Sequence, residues 1–569
     1  MAAWTLSLAP AMATEDALAA PSVIVVKRSP MLPLPGSPLT TPAKEHDATP
    51  AKRSLSRSLS GTPDRSLREE GGDEPSIGTP EEFYRANASE VFWIAREDAA
   101  EGADLRRADL LAALRDASGH GLPDQTSYAA ALEARLEEVF AAGPARDLRA
   151  ERELEQELMA AFLELAAALR SGVLSPGDFP DNFVIPETIG PSALFGRLLA
   201  GERVRDIIAA QAPQDPAYAS LLTAYADLQK EMEPEGAHQQ KIESGHSLKL
   251  GMTEASVSAL RSRLRMFDHI ETDVEEPAHF DKELVARVVA FQRRHGLEAD
   301  GVVGPATFAE LNASSRERLG RFAVALERMR WRSRSPGRLH VWVNQADFTM
   351  QLLDDGQVAF ETKAIVGSPK HPTPEFTEAM DHMVVNPSWS VPTSIAENEI
   401  KPKLRKNPNY LEQNNMYRRE DGRIVQRPGP DNALGTVKFM FPNKHAIYLH
   451  DTPSRHLFAE DMRALSHGCI RLEDPHGFAL ALLVRQSEDP EHHFSSALAT
   501  GRQSTIQLEE PIPVHLTYQT AWIDGSGDAQ FRPDVYGRDA AILEALVSAG
   551  LRLEPESAAP KDAEIAALP

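Results

Sequence analysis

The residues best suited to covalent chemistry lie close together in the C-terminal half of the chain. His450 follows a short apolar run, and fifteen residues separate it from the segment Ser466-His467-Gly468-Cys469. Acyl transfer by a thiol needs a thiolate nucleophile, a neutral imidazole within hydrogen-bond reach and donors for the developing oxyanion. The free pKa of a cysteine, ~8.5, is readily lowered by a neighbouring positive charge. We therefore predict Cys469 as the nucleophile and His450 as the general base.

The backbone around the cysteine is expected to supply the oxyanion donors. Gly468 carries no side chain, so the chain can approach a substrate closely there. We expect the amides of Gly468 and Cys469 to point at the carbonyl oxygen under attack. A strand that ends at His450 would present the imidazole toward this loop.

The same stretch leaves several alternatives to this assignment. His467 is the rival for the base because it lies only two residues from Cys469. Asp451 is adjacent to His450, but adjacent residues on a strand point to opposite faces, which argues against a third triad member. A metal site built from His445, His450 and His467 lacks a fourth ligand and leaves the cysteine unexplained. A buried, inert thiol is the structural alternative.

The composition narrows the classes of function. Cys469 is the only cysteine in 569 residues, so the chain can form neither an intrachain disulfide nor a multi-cysteine metal site. Such sparing use of cysteine suggests an oxidising compartment. The formal net charge of -24 argues against a nucleic-acid partner. No stretch approaches the ~18 to 20 consecutive apolar residues of a membrane span.

The elements that must position the site begin at residue 339. There the spacing of apolar residues changes from the 3.6-residue period of a helix to the two-residue period of a strand. Leu339 to Asn344 alternate, and Asp355-Gly356 marks a hairpin turn. We expect strands to dominate residues 339–545, with a lid insertion at about 395–435. The insertion either covers a substrate groove with positive charge or is a solvated helix face. Its positive residues are Lys401, Lys403, Arg405 and Lys406.

Helical regions precede and follow this domain. Apolar residues at helical spacing predict an α-helical scaffold domain over residues 81–245. Residues 246–315 combine helical faces with a glycine-bearing turn and predict a small helical module. A helical connector is expected at 316–338, and a C-terminal helix and tail at 546–569.

The N-terminal 80 residues differ in character from the remainder. Residues 1–26 are interpreted as a candidate atypical export signal, because Ala11-Met12-Ala13 resembles a small-residue cleavage site although no Lys or Arg precedes Lys27. Residues 27–80 are rich in Pro, Ser, Thr and charge. Such a composition cannot bury enough apolar surface to fold, which predicts a disordered linker.

Two runs of sequence resemble known families. The run FQRRHGLEADGVVGPATFAELN resembles the peptidoglycan-binding repeat. His450, fifteen intervening residues, the Ser-His-Gly-Cys run and Arg471 resemble the signature of the YkuD-type L,D-transpeptidase catalytic domain, and the flank LGTVKFMFPNKHAIYLHDTPSRHLF resembles its larger, YcbB-like branch. The resemblance implies an α+β multidomain protein. It would contain a mainly-β YkuD-type catalytic domain with a helical lid insertion, an α-helical scaffold domain and a small helical peptidoglycan-binding module.

The resemblance also implies roles for individual residues. Cys469 attacks, and His450 transfers protons while a backbone carbonyl holds its imidazole. Arg471 orients the loop or meets a substrate carboxylate, the alternative being a structural ion pair. Tyr448 and Trp389 are candidate walls of the substrate groove, with a place in the core as the alternative for both. The residues implied to shape the oxyanion hole and hold the loop are Ser466, His467 and Gly468.

The implied reaction joins the peptide stems of peptidoglycan without a metal or organic cofactor. The thiolate attacks the third residue of a donor tetrapeptide, the terminal D-alanine leaves, and the side-chain amine of a second stem captures the thioester to give a 3→3 cross-link. Capture by water would make an L,D-carboxypeptidase, and capture by an envelope protein would make an anchoring enzyme. A non-catalytic wall-binding scaffold is the third alternative. The expected location is the periplasm of a Gram-negative bacterium.

Overall fold

The protein is described here by a computed structural model. The candidate export signal, most of the predicted linker and the end of the C-terminal tail lie outside the residues that it describes. Those residues are 78–86, 92–94, 100–141, 147–232, 241–243, 245–268 and 275–553. Among them, no helix combines the length and the apolar character needed to span a bilayer.

The N-terminal part is helical, as predicted. Its helices are α1 (Pro80–Ala86), α2 (Ala100–Arg115), α3 (Thr126–Ala141), α4 (Leu148–Ser171), α5 (Pro191–Leu199), α6 (Val204–Ala209) and α7 (Pro216–Glu231). Asp147 begins α4 by accepting hydrogen bonds from the amides of residues 149 and 150. Within α4, the buried carboxylate of Glu155 accepts the amides of Phe92, Trp93 and Ile94 at 2.7–3.0 Å, which fixes that segment against the helix.

A small helical module follows, with a core of its own. Its helices are α8 (Ala255–Asp268), α9 (Lys282–Arg294) and α10 (Pro305–Leu311). Leu260, Leu284 and Phe291 are fully buried in this core. The buried Gln292 donates to Asp300 and to the carbonyl of Val302, both at 3.0 Å, and thereby holds the glycine-bearing turn that precedes α10.

The next helix, α11 (Ser315–Trp331), lies where we expected a helical connector. From Arg318 to Trp331, every residue except Arg321 is buried, and the apolar ones belong to the core of the N-terminal helices. A helix buried on all sides is a core helix rather than a surface link. Of its four buried charged residues, Glu327 and Arg330 neutralise each other at 3.0 Å.

The C-terminal part forms one large sheet and several helices around it. The strands of the sheet are β1 (Leu339–Asn344), β2 (Thr349–Asp354), β3 (Gln357–Gly367), β4 (Phe376–Val385), β8 (Val437–Met440), β9 (Leu449–His450), β10 (Ala464–Ser466), β11 (Ile470–Leu472) and β12 (Ser504–Thr517). Their order is β10-β3-β11-β9-β8-β4-β12-β1-β2, and β2 also pairs with β3, so the sheet closes on itself. Helices α15 (Pro475–Leu483) and α16 (Pro490–Ala499) pack against the same apolar core.

The lid insertion folds as a small unit between β4 and β8. It contains β5 (Trp389–Ser390), α12 (Thr393–Ile395), a π-helix (Ala396–Ile400), α13 (Lys401–Lys406), α14 (Tyr410–Gln413), β6 (Met416–Arg418) and β7 (Ile424–Gln426). The strands form a three-stranded sheet in the order β5-β7-β6. Val391, Ile400, Met416 and Ile424 make a separate apolar core, which is why so polar an insertion can hold a defined shape.

The end of the chain returns to the helical part. A hairpin, β13 (Ala521–Ile523) and β14 (Ala529–Phe531), precedes α17 (Arg538–Ser548). This helix begins earlier than the expected C-terminal helix at 546–569, because Ile542 and Leu546 face the same core as α11. The helical core is therefore assembled from three separate stretches of sequence.

Candidate active site

The candidate catalytic residues meet on one face of the large sheet. In the parallel pairing of β9 and β11, His450 lies opposite Arg471, and in the antiparallel pairing of β8 and β9 it lies opposite Lys438. Residues directly opposite each other on neighbouring strands point to the same face. The imidazole is thus flanked by two cationic side chains, one on each side.

The cysteine and a tyrosine share this face. Leu449 and Ile470 are fully buried in the core and lie opposite each other, so the residues on either side of them face away from the core. Cys469 is half-buried, and its thiol donates to the carbonyl oxygen of Ala446 at 3.6 Å. Tyr448 lies on the same face, and hydrogen bonding to it acts to lower the pKa of the Cys469 thiol.

The geometry of His450 leaves one ring nitrogen available. Its Nδ1 donates to the carbonyl oxygen of Asp451 at 2.5 Å, which is the kind of partner that the resemblance implied. With Nδ1 protonated, Nε2 keeps its lone pair and can accept a proton. The carboxylate of Asp451 instead accepts from the amide and hydroxyl of Thr436, both at 2.8 Å, and pairs with Arg455 at 3.0 Å. Asp451 is therefore not a third member of a triad.

Burial keeps both partners neutral at rest. Burial, and after it the charge of Arg471, lowers the pKa of His450 to about 3. Burial also raises the pKa of Cys469, although the Tyr448 hydrogen bonds and the charges of Arg471 and Lys438 act in the opposite direction. A neutral thiol beside a neutral imidazole is the resting state required for general-base activation.

The loop that carries the cysteine is tied to Ser466. The Ser466 hydroxyl donates to the carbonyl of Cys469 at 2.6 Å and accepts from the amide of Gly468 at 3.0 Å. Gly468 has φ +111°, a conformation that other residues rarely adopt. The expectation that the Gly468 amide points at the substrate was wrong, because Ser466 occupies it. Among the described residues, the amide of Cys469 has no acceptor and is the donor left for an oxyanion.

His467 faces the lid and not the thiol. Its side chain is 47% exposed, and its Nε2 lies 2.9 Å from the carboxylate of Glu399 in the π-helix. Its ring stacks on that of His371, with 5.1 Å between the centroids. This position favours His450 over His467 as the base.

Among the residues that the structure describes, neither of the two cations beside His450 has a carboxylate counterion. The Nε of Arg471 is buried without a hydrogen-bond partner among the described residues, so the structural ion pair that we considered is not observed in that part of the chain. Lys438 is half-buried, and its ammonium lies 5.4 Å from the centroid of the Tyr448 ring. The sequence-based prediction missed Lys438. The sequence pattern that could have indicated it is a single lysine between two apolar residues, Val437 and Phe439.

Other predicted residues lie elsewhere. Trp389 packs against the small core of the lid, so the structure does not bring it together with Cys469. The ring of His445 packs between Phe183 and Phe376, at centroid distances of 4.3 and 5.0 Å. Within the described ranges, no cluster of His, Cys, Asp and Glu side chains is arranged to hold a metal ion. In the lid, Lys401 pairs with Glu397, and the ammonium of Lys403 lies 5.6 Å from the centroid of the Tyr410 ring.

Three family models match consecutive parts of the chain. Residues 338–490 match the L,D-transpeptidase catalytic domain, residues 79–224 match a scaffold domain, and residues 253–311 match a putative peptidoglycan binding domain. A curated protein of Haemophilus influenzae, described as a putative L,D-transpeptidase, is 32% identical over 221 residues. That alignment covers 36% of this chain and 45% of the relative, so the chain spans less than half of the relative's length.

Solved structures of low sequence identity also match. An L,D-transpeptidase from Mycobacterium smegmatis is 14% identical, with 32% of this chain and 58% of that chain covered and a TM-score of 0.18. An L,D-transpeptidase from Xylanimonas cellulosilytica is 16% identical, with 48% of this chain and 99% of that chain covered and a TM-score of 0.17.

Proposed function

Given that the chain carries an L,D-transpeptidase catalytic domain of the YkuD type at residues 338–490 and a peptidoglycan-binding domain at residues 253–311, we propose that it cross-links peptidoglycan stems through a cysteine thioester. The proposal is supported by the pairing of β9 with β11, which brings His450 near the loop of Cys469, and by the bond of the His450 Nδ1 to a carbonyl, which leaves Nε2 without a partner among the described residues. The residue assignments extend the family match to this chain's own geometry.

In the proposed first step, His450 activates the thiol. Its Nε2 takes the proton of Cys469 as the sulfur attacks the carbonyl of the diamino acid at position three of a donor tetrapeptide. The amide of Cys469 donates to the developing oxyanion. The amide bond to the terminal D-alanine then breaks, and the imidazolium returns its proton to the departing amine. A thioester between Cys469 and the stem remains.

In the second step, an acceptor amine replaces the sulfur. The side-chain amine of a second stem attacks the thioester carbonyl and gives its proton to His450. The carbon–sulfur bond breaks, the thiol is regenerated by that proton, and the new amide is a 3→3 cross-link. Every step uses groups of the chain and of the substrate, and a cofactor is not invoked.

Arg471 and Lys438, which have no carboxylate counterion in the described part of the chain, are suited to the anionic substrate. Peptide stems carry carboxylates, and a half-buried guanidinium with an unsatisfied Nε is a strong receptor for one. We assign this role to Arg471 and a supporting electrostatic role to Lys438. We also propose that Tyr448 hydrogen-bonds to the thiolate, since hydrogen bonding to Tyr448 acts to lower the pKa of Cys469.

The acyl acceptor defines the alternatives. Water would give an L,D-carboxypeptidase, and an amine of an envelope protein would give an anchoring enzyme. A wall-binding protein without turnover is the third case. A peptidoglycan substrate places the proposed activity in the cell envelope, and we propose the periplasm of a Gram-negative bacterium.

A single assay separates these functions. The protein is incubated with purified disaccharide-tetrapeptide, and the products are read by mass spectrometry, with Cys469→Ala as the matched control. We expect a cross-linked dimer from the wild type and no product from Cys469→Ala. Tripeptide alone would support hydrolysis, a stem–protein conjugate formed only with envelope protein present would support anchoring, and equal product from both proteins would refute the nucleophile.

A further inference from the structure

Thr373 connects the nucleophile loop to a distant part of the chain. It lies in the segment between β3 and β4 and is completely buried. Its hydroxyl donates to the carbonyl oxygen of Gly468 at 2.7 Å and accepts from the amide of Gly367 at 2.9 Å. The side chain therefore contacts the residue immediately before the cysteine.

The Gly468 carbonyl belongs to the same peptide unit as the Cys469 amide. In a trans peptide the carbonyl and the N–H lie in one plane and point in opposite directions. Holding the oxygen of Gly468 toward Thr373 therefore directs the N–H of Cys469 to the other side. The other polar groups next to this peptide, the amide of Gly468 and the carbonyl of Cys469, are both bound to Ser466. The bond to Thr373 is the one that sets the direction of the free amide.

Thr373 is itself held from the C-terminal segment. Arg538 donates to the Thr373 carbonyl at 2.8 Å, and the hydroxyl of Tyr536 donates to the carbonyl of Gly367 at 2.6 Å. Arg538 also pairs at 3.2 Å with the buried Glu375, which pairs in turn with Arg328 of α11 at 2.9 Å. Buried networks of this kind fix geometry because no member can move without losing a partner.

We infer that Thr373 is a positioning residue that aims the Cys469 amide at the oxyanion of the acyl-transfer transition state. This inference rests on the proposed function. Thr373 does not contact the substrate and acts through the Gly468–Cys469 peptide. Removing one oxyanion donor outright typically slows acyl transfer by ~100- to 1000-fold. An amide that is present but misaligned should retain part of that stabilisation, so we expect a decrease of about 10- to 100-fold.

The test compares two reactions of the same thiol. Opening of a carbapenem ring passes through a tetrahedral oxyanion: sulfur adds to the lactam carbonyl, the carbon–nitrogen bond breaks, and the nitrogen gains a proton. Alkylation by iodoacetamide displaces iodide directly and forms no oxyanion. In Thr373→Val we expect acylation to slow by about 10- to 100-fold while alkylation changes less than about twofold. Thr373→Ser keeps the hydroxyl and should restore acylation to near the wild-type rate.

Several outcomes would overturn the inference. These are an unchanged acylation rate in Thr373→Val, an equal loss of both reactions, or a serine variant as slow as the valine variant. If Thr373→Val does not fold, Tyr536→Phe removes a hydroxyl one contact further away. It should slow acylation by several-fold with alkylation unchanged, and any other pattern contradicts the role. Failure of the proposed function would look different, because the wild type itself would then form neither carbapenem adduct nor cross-linked stems.

Discussion

Lys438 lies directly opposite His450 in the β8–β9 ladder, and its ammonium lies 5.4 Å from the centroid of the Tyr448 ring. The charge of Lys438 acts to lower the pKa of the Cys469 thiol. A half-buried cation next to a thiol stabilises the thiolate because the attraction is only weakly screened there. Lys438 is therefore a candidate for setting the reactivity of the nucleophile at neutral pH.

Lys438→Met tests this role. The substitution keeps the length of the side chain and removes its charge, so the pKa of Cys469 should rise further. The thiolate fraction at pH 7.5, and with it the rate of iodoacetamide alkylation, should fall about three- to tenfold. Lys444→Met is the matched control, because Lys444 is exposed and lies over the Phe183 ring. An equal decrease in both variants would show a general charge effect instead.

The two candidate bases can be ranked by substitution. His450→Ala removes the imidazole whose Nε2 is free, and we expect cross-linking of stems to fall at least ~100-fold. His467→Ala removes a ring that contacts Glu399 and His371. We expect the cross-linking rate to fall less than about tenfold, because this ring contacts the lid and does not transfer the proton. Turnover of disaccharide-tetrapeptide, with circular dichroism to check folding, decides the order. The opposite ranking would exchange the two roles.

The local part of the site could be predicted because it depends on neighbours along the chain. Alternation between buried and exposed positions places Leu449 and Ile470 in the core, and so places His450 and Cys469 on the opposite face. Gly468, which we expected only to let the backbone approach a substrate, also adopts a conformation that other residues rarely take.

The remaining parts depend on contacts between distant segments, which no local pattern shows. Thr373 reaches Gly468 across 95 positions of sequence, and Lys438 reaches the site only through strand pairing. Strand pairing depends on the whole fold, so β8 could not be assigned beside β9 from composition. The burial of α11 has a similar origin. Its residues Glu327 and Arg330 can lie inside the core because they pair with each other there.

Acid should destabilise the protein through its buried histidines. The pKa of His450 is lowered to about 3 and that of His295 likewise, both mainly by burial. In the unfolded chain an imidazole titrates near ~6.5. Between these two values the unfolded state binds protons that the folded state excludes, so the free energy of unfolding falls as the pH decreases from about 6.5 toward 3.

The expected size of this effect can be measured by urea unfolding at several pH values. Each fully buried histidine should contribute about 2 kcal/mol of lost stability between pH 6.5 and pH 5. In His450→Gln the loss over this interval should be smaller than in the wild type by about that amount. A His450→Gln profile parallel to the wild-type profile would contradict the burial of a neutral imidazole at this position.

Arg471 should recognise a carboxylate of the donor stem. Its Nε is buried and has no hydrogen-bond partner within the described ranges, and the residue lies opposite His450 in the β9–β11 pairing. A charge-assisted hydrogen bond to a carboxylate contributes roughly 1.5–3 kcal/mol, so Arg471→Gln should lower kcat/KM for disaccharide-tetrapeptide by about 10- to 100-fold. Arg471→Lys keeps the charge without the planar guanidinium, so its kcat/KM should lie between those of the wild type and Arg471→Gln. The rate of iodoacetamide alkylation serves as a check on the thiol itself.

Substrate variants make the Arg471 assignment specific. Stems whose carboxylates are amidated one at a time are compared between the wild type and Arg471→Gln. Amidation of the carboxylate that Arg471 binds should lower kcat/KM of the wild type about as much as the Arg471→Gln substitution does. The same amidation should lower kcat/KM of Arg471→Gln little further, because the interaction is already absent in that variant. If the two losses add fully for every carboxylate, Arg471 binds none of them, and its place beside the thiol has an electrostatic role only.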